Sequence, residues 1–169
     1  ELLANAKRPI IYAGGGVINS GPRASKLLAE LVALTDFPLT NTLMGLGGFP
    51  ASDKHFLGML GMHGTFEANN AMHDCDVMLA VGSRFDDRIT GRIADFSPRS
   101  KKAHVDIDPS SINKVIHVDV PIVGDVGHVL EDLLKVWKAR GRKVNKEGLA
   151  KWWGLIDQWK AKNCLSYKP

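Results

Sequence analysis

Glycine, acidic and arginine residues recur in this sequence where short apolar runs stop, and together those types suit an extended, phosphate-bearing ligand. Gly14-Gly15-Gly16 follows the run Pro9 to Ala13, and a backbone without Cβ atoms can approach a phosphate or ribose closely. The segment lacks the GxGxxG spacing of the dinucleotide fingerprint, so by itself it is equally a tight strand-to-helix turn. Later runs end in Thr42-Leu43-Met44, Gly61-Met62-His63-Gly64-Thr65, Gly82-Ser83-Arg84, Asp106-Ile107-Asp108 and Gly124-Asp125-Val126. Acidic side chains accept from ribose hydroxyls, arginines pair with phosphates and glycines admit the backbone, so the row as a whole fits one elongated dinucleotide.

Other groupings are weaker. Arg84, Asp86, Asp87 and Arg88 form a charged quartet that could equally be a surface ion-pair cluster. His63, between two glycines, is the histidine placed to meet a ligand; His55, His73, His104, His117 and His128 read as surface or structural residues. Asp106 and Asp108 lack the further ligands a metal needs, and no metal site is expected. No nucleophile elbow, HExxH or P-loop occurs, so the chain carries binding residues and no catalytic residue of its own.

The elements that must position these residues follow from periodicity. Pro9 to Ala13 reads as a strand, and Pro22 opens a helix with Ala24, Leu27, Leu28, Leu31, Val32 and Leu34 on one stripe. Phe37 to Thr40 is a second strand, and the glycine-rich stretch from Met44 to Pro50 cannot hold regular structure for long. Thr65 suits the cap of a helix that ends near Asp74. Val77 to Val81 is apolar throughout, as in a strand buried on both faces. Strands at Ala103 to Ile107 and Pro121 to Val123 precede a helix from Gly127 to Ala139. Alternating strands and helices predict an α/β fold: three layers, doubly wound around a mostly parallel, Rossmann-like sheet, with ligands at the carboxyl ends of the strands. Past Arg140 a linker leads to a helix capped by Asn145, whose stripe of Leu149, Trp152, Trp153, Ile156 and Trp159 needs a surface to cover, in this domain or a neighbour.

Composition narrows the function classes. The 169 residues, 44% hydrophobic, suffice for one globular domain with a tail, divided as 1–140 and 141–169. Of the formal charge of +4, residues 138–169 hold nine Lys and Arg against Glu147 and Asp157, a net of +7, which leaves 13 basic against 16 acidic residues before them. Those tail cations interleave with helix-periodic apolar residues, the pattern of a solvated surface, and no nucleic-acid partner is expected. Neither a membrane span nor a signal peptide is legible, and Cys75 and Cys164 read as free thiols, so a cytoplasmic location is expected. The chain opens at Glu1, already in helix-like sequence, and is expected to be a piece of a longer polypeptide that cannot catalyse alone.

Four blocks resemble a known family when read in order: Gly61-Met62-His63-Gly64-Thr65, the run from Gly82 through Arg84-Phe85-Asp86-Asp87-Arg88 to Gly91, Asp106-Ile107-Asp108-Pro109, and Asp119 to Val126. They are similar to the central domain of thiamine-diphosphate-dependent acetolactate (acetohydroxyacid) synthase catalytic subunits. The resemblance covers nearly the whole chain, and its most specific part is the Arg84 to Arg88 block. It implies a decarboxylating transfer from pyruvate to a second 2-oxo acid, pyruvate or 2-oxobutyrate, in branched-chain amino-acid biosynthesis. It implies FAD across the strand ends, held without redox turnover, with thiamine diphosphate and Mg²⁺ in domains that nothing here matches. The isoalloxazine end is then expected near Met62, His63 and Gly64, and the ribityl-diphosphate portion near Gly14, Gly15, Gly82 and Arg84. Thr42, Leu43 and Met44 line the middle, and Asp106, Ile107, Asp125 and Val126 meet the adenosine end. Met62, Asp87 and Arg88 match positions bordering the substrate channel and inhibitor site. Ser110-Ser111-Ile112 stands where the family often has Ala-Glu-Ile, so no acidic contact is assigned there. Implied partners are 2-oxo acids, further copies of the full-length subunit as a homodimer or homotetramer, and a small regulatory subunit. Two readings compete: the central domain of another thiamine-diphosphate carboligase or decarboxylase, and a stand-alone nucleotide-binding module.

Overall fold

Every residue of Pro9–Ala13 and of Val77–Val81 is buried, the mark of strands covered on both faces. In the computed structural model, which describes residues 1–167, these two runs pair in parallel at the centre of a six-stranded sheet. In chain order the elements are α1 (Leu2–Asn5), β1 (Pro9–Ala13), α2 (Gly15–Asn19), α3 (Pro22–Thr35), β2 (Leu39–Asn41), β3 (Phe56–Met59), α4 (Phe66–Asp74), β4 (Val77–Val81), α5 (Asp87–Thr90), β5 (Lys101–Asp106), β6 (Val120–Val123), α6 (Val126–Ala139) and α7 (Lys146–Lys160). Short 3-10 turns occupy Leu43–Gly45, Ile93–Asp95 and Pro109–Ser111.

The strand order is β3-β2-β1-β4-β5-β6, and every pair is parallel rather than most of them. This is the doubly wound α/β arrangement expected from the alternating elements. The chain winds outward from β1 to β3, then returns to β4 and winds the other way. Between β1 and β4 the connections diverge, which opens a crevice beyond the carboxyl ends of those strands.

Local chemistry sets most boundaries. Gly21, at φ 88, delivers Pro22 to the first turn of α3, and Asp36 ends that helix in the left-handed conformation at φ 56. Thr65, Asp125 and Asn145 each accept a backbone N–H with the side chain and so start α4, α6 and α7. Of the stripe expected on α3, Ala24, Leu28, Leu31 and Val32 are buried, whereas Leu34 lies at the helix edge and is 41% exposed. α3 packs against α6 and α4 against α7, and surface pairs Arg23–Glu131 (2.6 Å) and Lys138–Glu30 (2.5 Å) tie the first couple.

Two elements depart from the sequence reading. Gly15–Asn19 is a short helix where a bare glycine turn was expected, and Phe56–Met59 is a strand that the alternation did not reveal. Both carry glycine where backbone proximity overrides propensity. A Cβ on Gly16 would stand 2.6 Å from Gly82 Cα, and one on Gly58, at φ 90, would stand 2.5 Å from Thr65 Cγ2.

The tail helix packs into the same core. Leu149, Trp152 and Ile156 of α7 are buried in it, Trp153 and Trp159 partly so. The indole N–H of Trp152 donates to Pro9 O at 2.9 Å and that of Trp153 to Asp36 O at 2.8 Å. The surface this apolar stripe needs is therefore within this domain, on α4 and the backbone at Pro9 and Asp36. Lys168 and Pro169, the last two residues of the segment 141–169, lie outside the described residues. Among the described residues no helix is long and apolar enough to cross a membrane, and no cluster of His, Cys, Asp and Glu could hold a metal ion.

Candidate functional site

A cleft of about 660 Å³ lies beyond the carboxyl ends of the strands where their order reverses. That volume falls in the range of small-molecule and cofactor pockets. Its walls come from α2, the turn after β2, the turn after β4, α5, the end of β5 and the start of α6. A fold that reverses strand order here leaves no element to fill the gap, so the opening follows from topology before any side chain is considered.

The cleft gathers twelve of the residues singled out from sequence: Gly15, Thr42, Leu43, Met44, Gly82, Ser83, Arg84, Arg88, Asp106, Ile107, Asp125 and Val126. Gly14 stands behind the wall. A Cβ there would meet Gly82 O at 2.2 Å, so its role is to let β1 and β4 turn away together. Gly61, Met62, His63 and Gly64 are one layer removed. Their loop touches the cleft through α5, where Met62 N donates to Arg88 O at 3.3 Å and a Cβ on Gly61 would stand 2.8 Å from Ile89 Cδ1. Met62 and His63 face solvent there, and Asp87 projects outward with its side chain 85% exposed.

Sequence reasoning gave no site role to Tyr12, Ile18, Asn19, Ser20, Phe85, Ile89 and Ser111, which line the cleft together with Gly16 of the glycine turn and Asp86 of the charged quartet. Residues 18–20 were hidden because α2 was read as a turn. Phe85 stood inside the charged block, where only the neighbouring charges drew notice. Phe85 is 2% exposed at φ 54, a conformation strained for a bulky residue. Its ring is held between Tyr12 (centroids 5.8 Å), Phe96 (5.9 Å) and His104 (5.0 Å). Packing the ring inward turns Arg84 and Asp86, on either side, toward the cleft.

The charged lining divides by position. At the turn after β4, Arg84 pairs with Asp86 at 2.6 Å. The Arg88 backbone N–H, with the nearby Arg84 and Arg88 guanidinium groups, holds the Asp86 carboxyl below the ordinary range. The quartet thus contains a surface ion pair, Arg84 with Asp86, on the cleft's rim. At the other wall, Asp125 accepts from Ser20 Oγ at 2.8 Å and from the His128 backbone N–H at 3.2 Å. The Ser20 hydroxyl chiefly keeps Asp125 ionised, with its carboxyl below the usual value. Asp106 accepts the Asp108 N–H at 2.9 Å and sits at the end of β5.

Apolar residues complete the rim. Leu43, Met44 and Ile107 are 66%, 75% and 70% exposed, unusual for large apolar side chains clustered around one opening. Apolar walls, arginines by the central strand ends and carboxylates toward β5 and α6 suit a long ligand with a flat apolar part, an anionic middle and hydroxyl groups. An FAD-type dinucleotide meets that description. Two buried hydroxyls beside the cleft, on Tyr12 and Ser83, have no hydrogen-bond partner among the described residues.

Comparison with known proteins places this geometry in a family. Residues 1–133 match the thiamine pyrophosphate enzyme central domain. The chain is 46% identical over 167 residues to the acetolactate synthase isozyme 3 large subunit of Escherichia coli, covering 99% of this chain and 29% of that protein. It is 48% identical over 167 residues to the acetolactate synthase large subunit of Haemophilus influenzae, with the same coverage, 99% and 29%. Against the acetolactate synthase of Mycobacterium avium it is 45% identical over 169 residues, covering 100% of this chain and 27% of that protein. The chain therefore spans less than a third of the length of these relatives. With the parallel sheet, its reversal between β1 and β4 and the matched residues in agreement, the chain belongs to the central-domain family of the thiamine pyrophosphate enzymes.

Proposed function

We propose that this chain serves as the FAD-holding central part of an acetolactate synthase large subunit, acting in the cytoplasm. The observation that carries the reading is the cleft at the strand-order reversal, lined by residues from three of the four resembling blocks. In this reading residues 1–140 are the cofactor-holding domain, and residues 141–169 are a linker and tryptophan-bearing helix that leads toward a thiamine-diphosphate domain.

The division of labour is physical. Gly15 and Gly82 let backbone approach the diphosphate portion, Arg84 and Arg88 offset its charge, and Thr42, Leu43 and Met44 flank the middle. Asp106 and Asp125, both at element ends facing the cleft, accept hydroxyl hydrogens at the adenosine end, with Ile107 and Val126 beside them. The loop of Gly61, Met62, His63 and Gly64 meets the isoalloxazine end from above α5, and Met62, Asp87 and Arg88 border the path by which 2-oxo acids arrive. Thiamine diphosphate with Mg²⁺, bound outside this chain, supplies the decarboxylation of pyruvate and its transfer to a second 2-oxo acid. Further copies of the large subunit and a small regulatory subunit complete the assembly in this reading.

A segment exchange tests the function directly. Placing residues 1–167 in the corresponding segment of the Escherichia coli isozyme 3 large subunit should preserve acetolactate formation from pyruvate. A chimera that folds, as judged by a single cooperative melt, yet forms no acetolactate would count against the assignment.

A further inference from the structure

His104 lies wholly buried in β5, and its two ring nitrogens are treated differently. Nε2 stands 2.7 Å from the Ser83 carbonyl oxygen, whereas Nδ1 has no hydrogen-bond partner among the described residues. A carbonyl oxygen only accepts, so Nε2 carries the proton and donates it, and Nδ1 keeps an unused lone pair. Burial pushes the ring below its ordinary pKa and so favours this single-proton form. A leucine would fill the same place in the sheet without an unsatisfied nitrogen, so the bond to Ser83 is what the histidine adds.

The segment restrained by this bond is under backbone strain. The turn after β4 enters the left-handed region at Gly82, φ 60, and again at Phe85, φ 54, a conformation that a bulky residue rarely adopts. Tyr12 pairs in register with Ala80, and Ala80 with His104, so the smallest of the three stands in the middle of the row. The Phe85 ring meets the outer two, at 5.8 Å from Tyr12 and edge-on at 5.0 Å from His104. His104 therefore touches the turn on both sides of Arg84, at the Ser83 carbonyl before it and at the Phe85 ring after it. Arg84 has no anchor in the core: its side chain is 77% exposed and pairs with Asp86 at 2.6 Å. Its direction thus depends on the backbone that carries it.

We propose that His104 is a positioning residue: by donating from Nε2 to the Ser83 carbonyl, it holds the turn after β4 in the strained conformation that presents Arg84 and Asp86 to the cleft. Its consequence for ligand binding rests on the dinucleotide reading above; its consequence for the turn does not.

Two variants separate the donor from the packing. His104→Leu fills the core but cannot donate, whereas His104→Gln retains an N–H able to reach Ser83 O. In crystal structures of the two, Phe85 should leave positive φ in the leucine variant and keep it in the glutamine variant. Titration with ADP and with FAD should show a loss of at least about tenfold for His104→Leu, comparable with that for Arg84→Ala, and nearly full affinity for His104→Gln. Adding Arg84→Ala to His104→Leu should cost little more, because both act through one guanidinium group. Additive losses would mean a general effect on stability and would overturn the inference, as would a folded leucine variant with Phe85 at positive φ and full affinity. If His104→Leu does not fold, the glutamine variant decides: the turn lost despite an amide bonded to Ser83 O, or kept without that bond, overturns the inference, and the turn kept with the bond supports it. Failure of the unmodified chain to bind either nucleotide would bring down the dinucleotide reading alone, since φ of Phe85 in the variants still decides the role of His104.

Discussion

The two ends of the sheet are finished differently. At the amino end, α7 packs against α4 with Trp152 buried, and two neighbouring indole N–H groups reach the backbone carbonyls of Pro9 and Asp36. At the carboxyl end, two hydroxyls are left without partners, Phe85 is held at positive φ, and Leu43, Met44 and Ile107 face outward. The difference lies in satisfaction: a closed end uses its polar groups internally, and an open end keeps them for something else. The first should therefore govern stability, and the second binding.

Removing Trp152 tests the closed end most severely. Trp152→Ala empties a wholly packed site and loses the bond to Pro9 O, so unfolding free energy should fall by about 3–5 kcal/mol in a denaturant titration. Affinity for FAD, measured where the variant remains folded, should stay unchanged. A large affinity loss there would erase the division between the ends.

Gly82→Ala strikes the open end through its backbone. Gly82 has φ 60, and a Cβ would lie 2.5 Å from Gly16 Cα. The strained conformation alone costs about 1–3 kcal/mol, and relief of the clash must move α2 out of the cleft wall. Both stability and ligand affinity should fall. A variant that binds FAD normally would mean that α2 does not shape the site.

Arg84→Ala separates charge from shape. The side chain is 77% exposed and paired with Asp86, so its loss should leave the melt nearly unchanged. A charge-assisted contact to the ligand is worth about 1.5–3 kcal/mol of binding, which equilibrium titration would detect. Wild-type affinity would remove Arg84 from the site.

The smallest expected effect is on pH dependence, and it differs between the ends. His104, beneath the cleft, is pushed below its ordinary pKa by burial, which outweighs the Ser83 carbonyl and Asp106. Because the unfolded chain then binds the proton more readily, stability from this group is lost as pH falls below about 6.5. Near α7, His55 bridges Asp53 at 2.6 Å and Asp36 at 2.7 Å. Burial raises the Asp36 carboxyl, but the His55 and Lys54 hydrogen bonds outweigh it and leave a net depression; for Asp53 the His55 backbone N–H leads in the same direction. Those contributions are present above the ordinary carboxylate range and are lost only as pH falls below about 4. Melting temperature against pH should show two steps, with His104→Gln removing the upper and Asp36→Asn reducing the lower. A single step would merge the two ends.

Much of the fold is legible in the sequence because β1 and β4 are fully buried parallel strands, whose apolar runs survive without context. The caps at Thr65 and Asn145 are equally local signals. β3 was hidden because Phe56-Leu57-Gly58-Met59 has no β-branched residue and contains a glycine selected by Thr65 rather than by propensity. The candidate site was legible where types carry charge or lack a side chain, as at Gly82, Arg84 and Asp125. Tyr12 was unreadable as a site residue, since one tyrosine in an apolar run looks like core until the partner missing from its hydroxyl is seen. His63 shows the converse: its flanking glycines suggest ligand access, yet the loop sits above α5, outside the cleft wall.

The central claim is that the open end is a dinucleotide site. Titrating this chain with FAD, by flavin fluorescence and by thermal melting, with FMN, ADP and NAD run alongside, tests it most directly. The account expects saturable binding that prefers FAD and a melting temperature that rises with FAD concentration. No saturable binding of FAD, either to this chain or to a full-length subunit carrying it, would contradict the account.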